Sequence, residues 1–141
     1  MQHLKSFIAG FASTLVFHQG MLALLRLASP QAPAPFNMAA TGPFGVPAVI
    51  SLAFWGGVWG IVLWALIRGS RGARHWMLAV VIGALGPSAV AWFVVMPLKG
   101  LGIAGGWEPK FLVGALVLHA AWGLGVALFM RLLEFQSKPA T

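Results

Sequence analysis

The sequence predicts an all-α integral membrane protein in which four transmembrane helices form a compact bundle. The chain of 141 residues is 60% hydrophobic and only 8% charged, whereas a soluble domain carries about 25% charged residues. Its mean hydropathy is +0.89. The hydrophobic residues fall into four segments, and each is about 20 residues or longer, which at ~1.5 Å per residue matches a hydrocarbon core of ~30 Å.

The four segments lie at about 6–27, 47–67, 76–96 and 111–133, and they form a single transmembrane domain over residues 1–141. Two longer linkers at 28–46 and 97–110 separate the first segment from the second and the third from the fourth. The first linker contains four prolines, which favour an extended backbone over a helix. The first segment exceeds the ~7–15 residues of a signal-peptide core, so we interpret it as a membrane span.

Positive charge is divided unequally between the two ends of the predicted bundle. Four crossings bring both termini to one side, which then carries six cations: Lys5, Arg68, Arg71, Arg74, Arg131 and Lys138. The other side carries Arg26, Lys99 and Lys110. Because Lys and Arg accumulate in cytoplasmic loops, we expect a multi-pass protein of the bacterial inner membrane with both termini in the cytoplasm. The cations form no basic run interleaved with aromatics, so the expected partner is the lipid bilayer and not a nucleic acid.

Glycines and tryptophans in the second segment indicate close helix contacts. Gly56 and Gly60 form a G-x-x-x-G pair, which allows a neighbouring helix to approach closely. The tryptophans of this segment exceed what a lone four-helix bundle can bury, so we expect some of them to face another membrane protein or a second copy. These tryptophans are Trp55, Trp59 and Trp64.

A faint internal repeat relates the second segment to the fourth. Trp59-Gly60 precedes Arg68 as Trp122-Gly123 precedes Arg131, with an offset of 63 residues in each case. The offset predicts a duplicated helical hairpin. The alternative is that Trp-Gly and a terminal Arg recur because membrane helices share a similar composition. In the third segment, Pro87 removes a backbone hydrogen bond and should kink the helix.

Two histidines lie at matching depths in the first and fourth segments. His18 is eight residues before Arg26, and His119 is nine residues after Lys110. If both cations mark the same membrane interface, the histidines lie ~12–14 Å below it. Polar groups at such depth usually face the interior of a bundle.

Three interpretations of this histidine pair stay open. In the first, each imidazole is structural and bonds to a backbone carbonyl, Thr14, Gln19 or the other histidine. In the second, His18 and His119 hold a haem b, since imidazole is a common axial ligand in membrane cytochromes. In the third, the histidines are relay groups in a small channel or carrier.

Enzymatic chemistry is not expected, and no catalytic residue or metal site is predicted. The only acids, Glu108 and Glu134, lie outside the four hydrophobic segments, so there is no carboxylate pair for acid–base work. Cysteine is absent, which excludes thiolate metal sites. Our first interpretation is therefore a non-enzymatic protein without a cofactor, which self-associates or serves as an accessory subunit of a membrane complex.

Three runs of the chain carry a resemblance to a known group of proteins. The runs are STLVFHQGMLALL at 13–25, FGVPAVISLAFWGGVWG at 44–60 and HAAWGLGVALFMRLL at 119–133. They resemble small bacterial inner-membrane proteins of four helices, and the likeness covers nearly the whole chain. It implies the four-helix membrane fold and no particular activity. The membrane-embedded Glu in the first helix of small multidrug-resistance transporters has no counterpart here.

Overall fold

The computed structural model describes residues 1–136, and most of this part of the chain is helical. Within it, four helices are long and apolar enough to cross a membrane: α1 (Gln2–Ala28), α2 (Ala48–Ile67), α3 (Gly72–Leu98) and α4 (Pro109–Gln136). The predicted all-α fold with four membrane helices is therefore confirmed. Lys138, which was counted among the cations, lies outside the described residues.

Three of the four helices extend beyond the hydrophobic segments that predicted them, and α2 matches its segment to within one residue. α1 begins at Gln2 and not near residue 6, α3 begins at Gly72 and not at 76, and α4 ends at Gln136 and not at 133. At these three ends the prediction stopped next to Lys5, His75 and Glu134. A helix continues past that point because its backbone hydrogen bonds do not depend on apolar side chains.

Both long linkers contain short structured pieces. In the first, β1 (Ala40–Thr41) pairs antiparallel with β2 (Val46–Pro47), with Ala40 opposite Pro47. This linker folds back onto the bundle, because the amide of Phe36 bonds to the Gln19 side chain in α1. The second linker contains a helical turn over Ala104–Trp107, in which two glycines adopt left-handed backbone angles.

The four helices form two antiparallel pairs that meet at glycines. In the pair α1/α2, a Cβ added to Gly10 would overlap the carbonyl of Gly56 and lie 2.9 Å from Cα of Gly60. In the pair α3/α4, a Cβ added to Gly83 would lie 2.8 Å from Cα of Gly123. α1 also packs against α4 and joins the two pairs. The buried core lies in the half of the bundle that holds Met1, and its larger members are Leu63, Trp64, Ile67, Trp122, Val126 and Met130.

α1 and α3 each contain one π-helical turn, at Thr14–His18 and at Ala91–Val95. α3 continues through Pro87, and the departure from α geometry begins four residues later. π turns often lie at functional sites. The one in α1 ends at His18, the first of the two predicted site histidines.

Candidate functional site

Four polar side chains from three helices meet in the half of the bundle nearer the linkers. They are His18 and Gln19 of α1, Ser88 of α3 and His119 of α4, and we call them the polar cluster. The ring centroids of His18 and His119 are 5.5 Å apart, with the planes inclined by 48°. His18, Gln19 and Ser88 are buried, and His119 is partly buried. The structure thus brings together the two histidines that the sequence placed at equal depth.

A hydrogen bond from the first linker to Gln19, and one from Gln19 to His18, fix the protonation pattern of His18. The backbone N–H of Phe36 donates to Oε1 of Gln19 at 2.7 Å, which fixes the orientation of the Gln19 amide because a flipped amide would oppose two donors. The amide nitrogen of Gln19 therefore donates to Nδ1 of His18, at 3.2 Å. Since Nδ1 accepts, the proton of the neutral imidazole lies on Nε2.

His119 bonds to Ser88, with a distance of 2.9 Å between Oγ and Nδ1. Of the partners expected for the imidazoles, Gln19 is present, whereas the Thr14 hydroxyl donates to the carbonyl of Gly10. Sequence reasoning did not identify Ser88 as a partner. The available signal was its depth, since a hydroxyl in the middle of a membrane helix requires a partner inside the bundle.

The polar cluster does not fit a haem b held by both histidines. A ligating nitrogen needs a free lone pair, and the hydrogen bond from Gln19 leaves the proton of His18 on Nε2. The macrocycle would also need a slot between α1 and α4. These helices are in contact one turn away, where the Ser13 hydroxyl donates to the carbonyl of Trp122 at 2.7 Å. Among the described residues, no group of three His, Cys, Asp or Glu side chains is arranged to hold a metal ion.

Most residues predicted to mediate packing do so within the chain. Gly56 and Gly60 contact α1, while Gly123 contacts Ala79 and Gly83 of α3. Trp64 and Trp122 are buried. Trp55 is 59% exposed, so it is the tryptophan of α2 that most clearly faces away from the bundle.

The two Trp-Gly pairs occupy related places. Each glycine lies where its helix crosses the preceding helix, Gly60 against Gly10 and Gly123 against Gly83. Each tryptophan reaches the other helix pair: Trp59 lies over Gly86 of α3, and Trp122 bonds to the carbonyl of Gly10 in α1. The contacted residues of α1 and α3 are not themselves 63 residues apart, so the duplicated hairpin stays a prediction.

An apolar groove of about 790 Å³ runs along the surface between α1 and α4. Its lining includes small residues from both helices, namely Gly20, Ala120 and Ala121. Larger apolar side chains, among them Leu24 and Leu124, complete the lining. The groove therefore offers a shallow hydrocarbon surface where a neighbouring backbone could approach.

Two glycines beside this groove have open space where a side chain would lie. Apart from Gly72, which begins α3, ten glycines lie in the spanning helices, and at eight of them an added Cβ would meet another part of the chain within 4 Å. The exceptions are Gly20 and Gly114. Gly20 lines the groove, and Gly114 lies three residues before Val117, another lining residue, and so on the same face of α4.

Comparison of the chain with protein-family models, with curated proteins and with solved structures found no match in any of the three. A function for this protein therefore has to be inferred from its geometry. Two features carry that inference: the polar cluster inside the bundle and the glycine-lined groove on its surface.

Proposed function

We propose that this protein is a non-enzymatic, multi-pass protein of the bacterial inner membrane that works as a subunit of a membrane assembly. The groove between α1 and α4 receives an apolar transmembrane helix, supplied either by a second copy of the chain or by another membrane protein. The observation that carries the proposal is the open space beside Gly20 and Gly114, where an added Cβ would meet no other part of the described chain within 4 Å.

Glycine in a helix needs a reason, because it costs roughly 0.5–1 kcal/mol relative to alanine. In membrane helices the usual reason is close approach of a second backbone. The other glycines inside the spans of this protein meet a neighbouring helix or side chain in that way. A helix of another molecule in the groove would explain Gly20 and Gly114 in the same way, because its backbone would approach them closely.

The chemistry of the groove favours a helix whose contact face is apolar and small. The lining residues are nearly all aliphatic or aromatic, so a polar or charged helix face would lose its hydration without gaining a partner. Like Gly20, Ala120 and Ala121 have small side chains, so this part of the groove floor is free of bulky groups. This shape accommodates a backbone better than a row of large side chains.

The distribution of charge supports an orientation with both termini in the cytoplasm. Lys5, Arg131 and the arginines of the turn between α2 and α3 lie at the end of the bundle that holds Met1. Arg26, Lys99 and Lys110 lie at the other end. The excess of cations marks the cytoplasmic side.

The polar cluster supports a structural and not a catalytic role for the two histidines. Nδ1 of each imidazole is engaged by a side chain of the bundle, and the cluster contains no carboxylate for acid–base chemistry. Gln19 also ties the first linker to α1 through Phe36. In this reading the cluster fixes the relative positions of α1, α3 and α4, and thereby the shape of the groove.

The experiment that tests the proposal fills the groove. Because the chain has no cysteine, single cysteines for crosslinking can be introduced without removing native ones. A Leu24→Cys variant, at an exposed lining residue of the groove, should form in native membranes a disulfide-linked dimer or a crosslink to one other membrane protein. Val62→Cys, at an exposed position on α2, is the control and should crosslink far less.

A second pair of variants separates the possible occupants. Gly20→Leu should abolish the assembly in native mass spectrometry, whereas Ala65→Leu, at an exposed small residue of α2, should leave it intact. The crosslinked partner identifies whether the helix comes from a second copy or from another protein. A wild-type monomer in membranes that crosslinks to nothing, or a groove filled only by lipid that Gly20→Leu displaces, would overturn the proposal.

A further inference from the structure

The end of the bundle that holds Met1 carries an arginine patch, which consists of Arg68, Arg71, Arg74 and Arg131. Arg68 follows the last residue of α2, Arg71 precedes α3, and Arg74 lies in the first turn of α3. Arg131 lies near the end of α4. All four residues are exposed.

A buried network fixes the turn that presents three of these arginines. The Ser70 hydroxyl donates to the carbonyl of Ile67 at 2.6 Å. Its oxygen is then the acceptor for Nδ1–H of His75, which lies 3.2 Å away. His75 is only 3% exposed, and its ring packs edge-on against Trp64 and Trp76. The turn is therefore held from inside the bundle, and the arginines are displayed on a fixed backbone.

The fourth arginine is held at the same end by an aromatic ring. The guanidinium carbon of Arg131 lies 4.9 Å from the centroid of Trp76, a cation–π distance. Because Trp76 is two residues after Arg74, this contact brings the charge of α4 beside the first turn of α3.

The charge of the patch is not cancelled along the chain. The sequence has no Asp or Glu before Glu108, so the turn itself contains no acid. Glu134, three residues after Arg131, is the acid of α4 nearest the patch. Four guanidinium groups against this one carboxylate leave a strongly positive surface.

Exposed apolar side chains adjoin the patch where the helices enter the membrane. Leu66 in α2 is 60% exposed, and Met77 in α3 is 59% exposed. A ligand that satisfies both features has an anionic head and hydrocarbon tails. Basic clusters at the ends of membrane helices attract anionic lipid, and guanidinium groups bind phosphate through two parallel hydrogen bonds.

We propose that the arginine patch is a binding site for an anionic phospholipid, whose phosphate is held by Arg71, Arg74 and their neighbours while its acyl chains lie along Leu66 and Met77. Positive charge alone would serve to orient the chain in the membrane. The buried network through His75 and the stacking of Arg131 on Trp76 additionally fix where the charges lie, as selective recognition requires.

Native mass spectrometry of the full-length protein in mild detergent tests this site, with phosphatidylglycerol and phosphatidylcholine as probes. The wild type should retain phosphatidylglycerol in preference. The triple variant R68Q/R71Q/R74Q should lose that preference, because the ratio of phosphatidylglycerol to phosphatidylcholine retained should fall by about fivefold for each arginine removed. The matched control R26Q/K99Q/K110Q removes three cations from the opposite end and should keep the preference.

A second variant distinguishes phosphate recognition from simple attraction of charge. R71K/R74K keeps both positive charges and loses the paired donors of the guanidinium, so retention of phosphatidylglycerol should fall while the fold is preserved. Equal retention of the two lipids by the wild type, equal losses in the two triple variants, or unchanged retention in R71K/R74K would overturn the site. Preferential binding of a labelled oligonucleotide over phosphatidylglycerol would overturn it as well.

Discussion

The indole N–H of Trp122 donates to the main-chain carbonyl of Gly10, with 3.1 Å between Nε1 and the oxygen. One residue belongs to α4 and the other to α1, so the bond joins the two helix pairs of the bundle. A reciprocal bond lies beside it, since the hydroxyl of Ser13 donates to the carbonyl of Trp122. This double link lies one to two turns from His18 along α1 and about one turn from His119 along α4. It fixes the spacing of α1 and α4 along the groove.

Trp122→Phe should destabilise the bundle by about 1–3 kcal/mol. An interhelical hydrogen bond within a membrane contributes about 0.6 kcal/mol on average, and the smaller ring leaves a cavity at a side chain that is 2% exposed. Equilibrium unfolding in mixed detergent micelles measures the change. Trp55→Phe is the control, because Trp55 is largely exposed and its truncation should cost less than about 0.5 kcal/mol. Equal losses in the two variants would contradict the role of Trp122.

Gly123→Ala should also destabilise the protein, by about 1–3 kcal/mol. The added methyl group would overlap the carbonyl of Ala79 and lie 3.0 Å from Cα of Gly83. Both obstacles are backbone atoms, so no side chain can rotate away and α3 must separate from α4. The measurement is thermal unfolding followed by circular dichroism in detergent.

The matched control for this prediction is Gly114→Ala on the same helix. Its methyl group would meet nothing within 4 Å, and alanine stabilises a helix by about 1 kcal/mol relative to glycine. The isolated protein should therefore be unchanged or slightly stabilised. If Gly123→Ala unfolded at the same temperature as Gly114→Ala, the glycine crossing would not be the contact that holds α3 to α4.

The spans and the histidine pair were predictable because their signals are strong and local. Four long apolar segments predict membrane helices, because in lipid few other structures satisfy all the backbone hydrogen bonds of such segments. The depths of His18 and His119 follow from counting residues to Arg26 and Lys110. The pattern of Gly56 and Gly60 predicted a close helix contact, but not that the partner would be Gly10, a single glycine without a motif of its own.

The partners of the histidines were harder to predict. The π turn at Thr14–His18 leaves no compositional mark, yet it changes which faces of α1 carry the residues that follow. Gln19 was one of several candidate partners. The first linker orients its side chain through Phe36, and no periodic pattern in the sequence predicts the fold of that linker. Ser88 becomes a partner only because α3 packs against α4 through Gly83 and Gly123, a long-range contact that local patterns do not contain.

Gln19→Leu should release the first linker from α1. The substitution removes the acceptor of the Phe36 amide. Loss of a hydrogen bond that contributes about 1.4 kcal/mol should make hydrogen exchange at this amide roughly tenfold faster. Hydrogen exchange resolved at Phe36 measures this effect. Gln31→Leu, an exposed position in the same linker, should leave exchange unchanged. The amide of Val49, which bonds to the carbonyl of Asn37, serves as an internal reference, and an undisturbed Phe36 amide in Gln19→Leu would refute the link.

The purified protein should show no haem spectrum, whether oxidised or reduced with dithionite. The physical reason is the direction of the hydrogen bond between Gln19 and His18, which leaves Nε2 of His18 protonated and without a lone pair for iron. The visible spectrum of protein taken from its native membrane, recorded in both redox states, measures this directly. His75→Ala is the control, because His75 is a buried histidine at the far end of the bundle. A Soret band that disappeared in His18→Ala and in His119→Ala but persisted in His75→Ala would show that the polar cluster rearranges to bind haem, and the structural role of the two histidines would have to be abandoned.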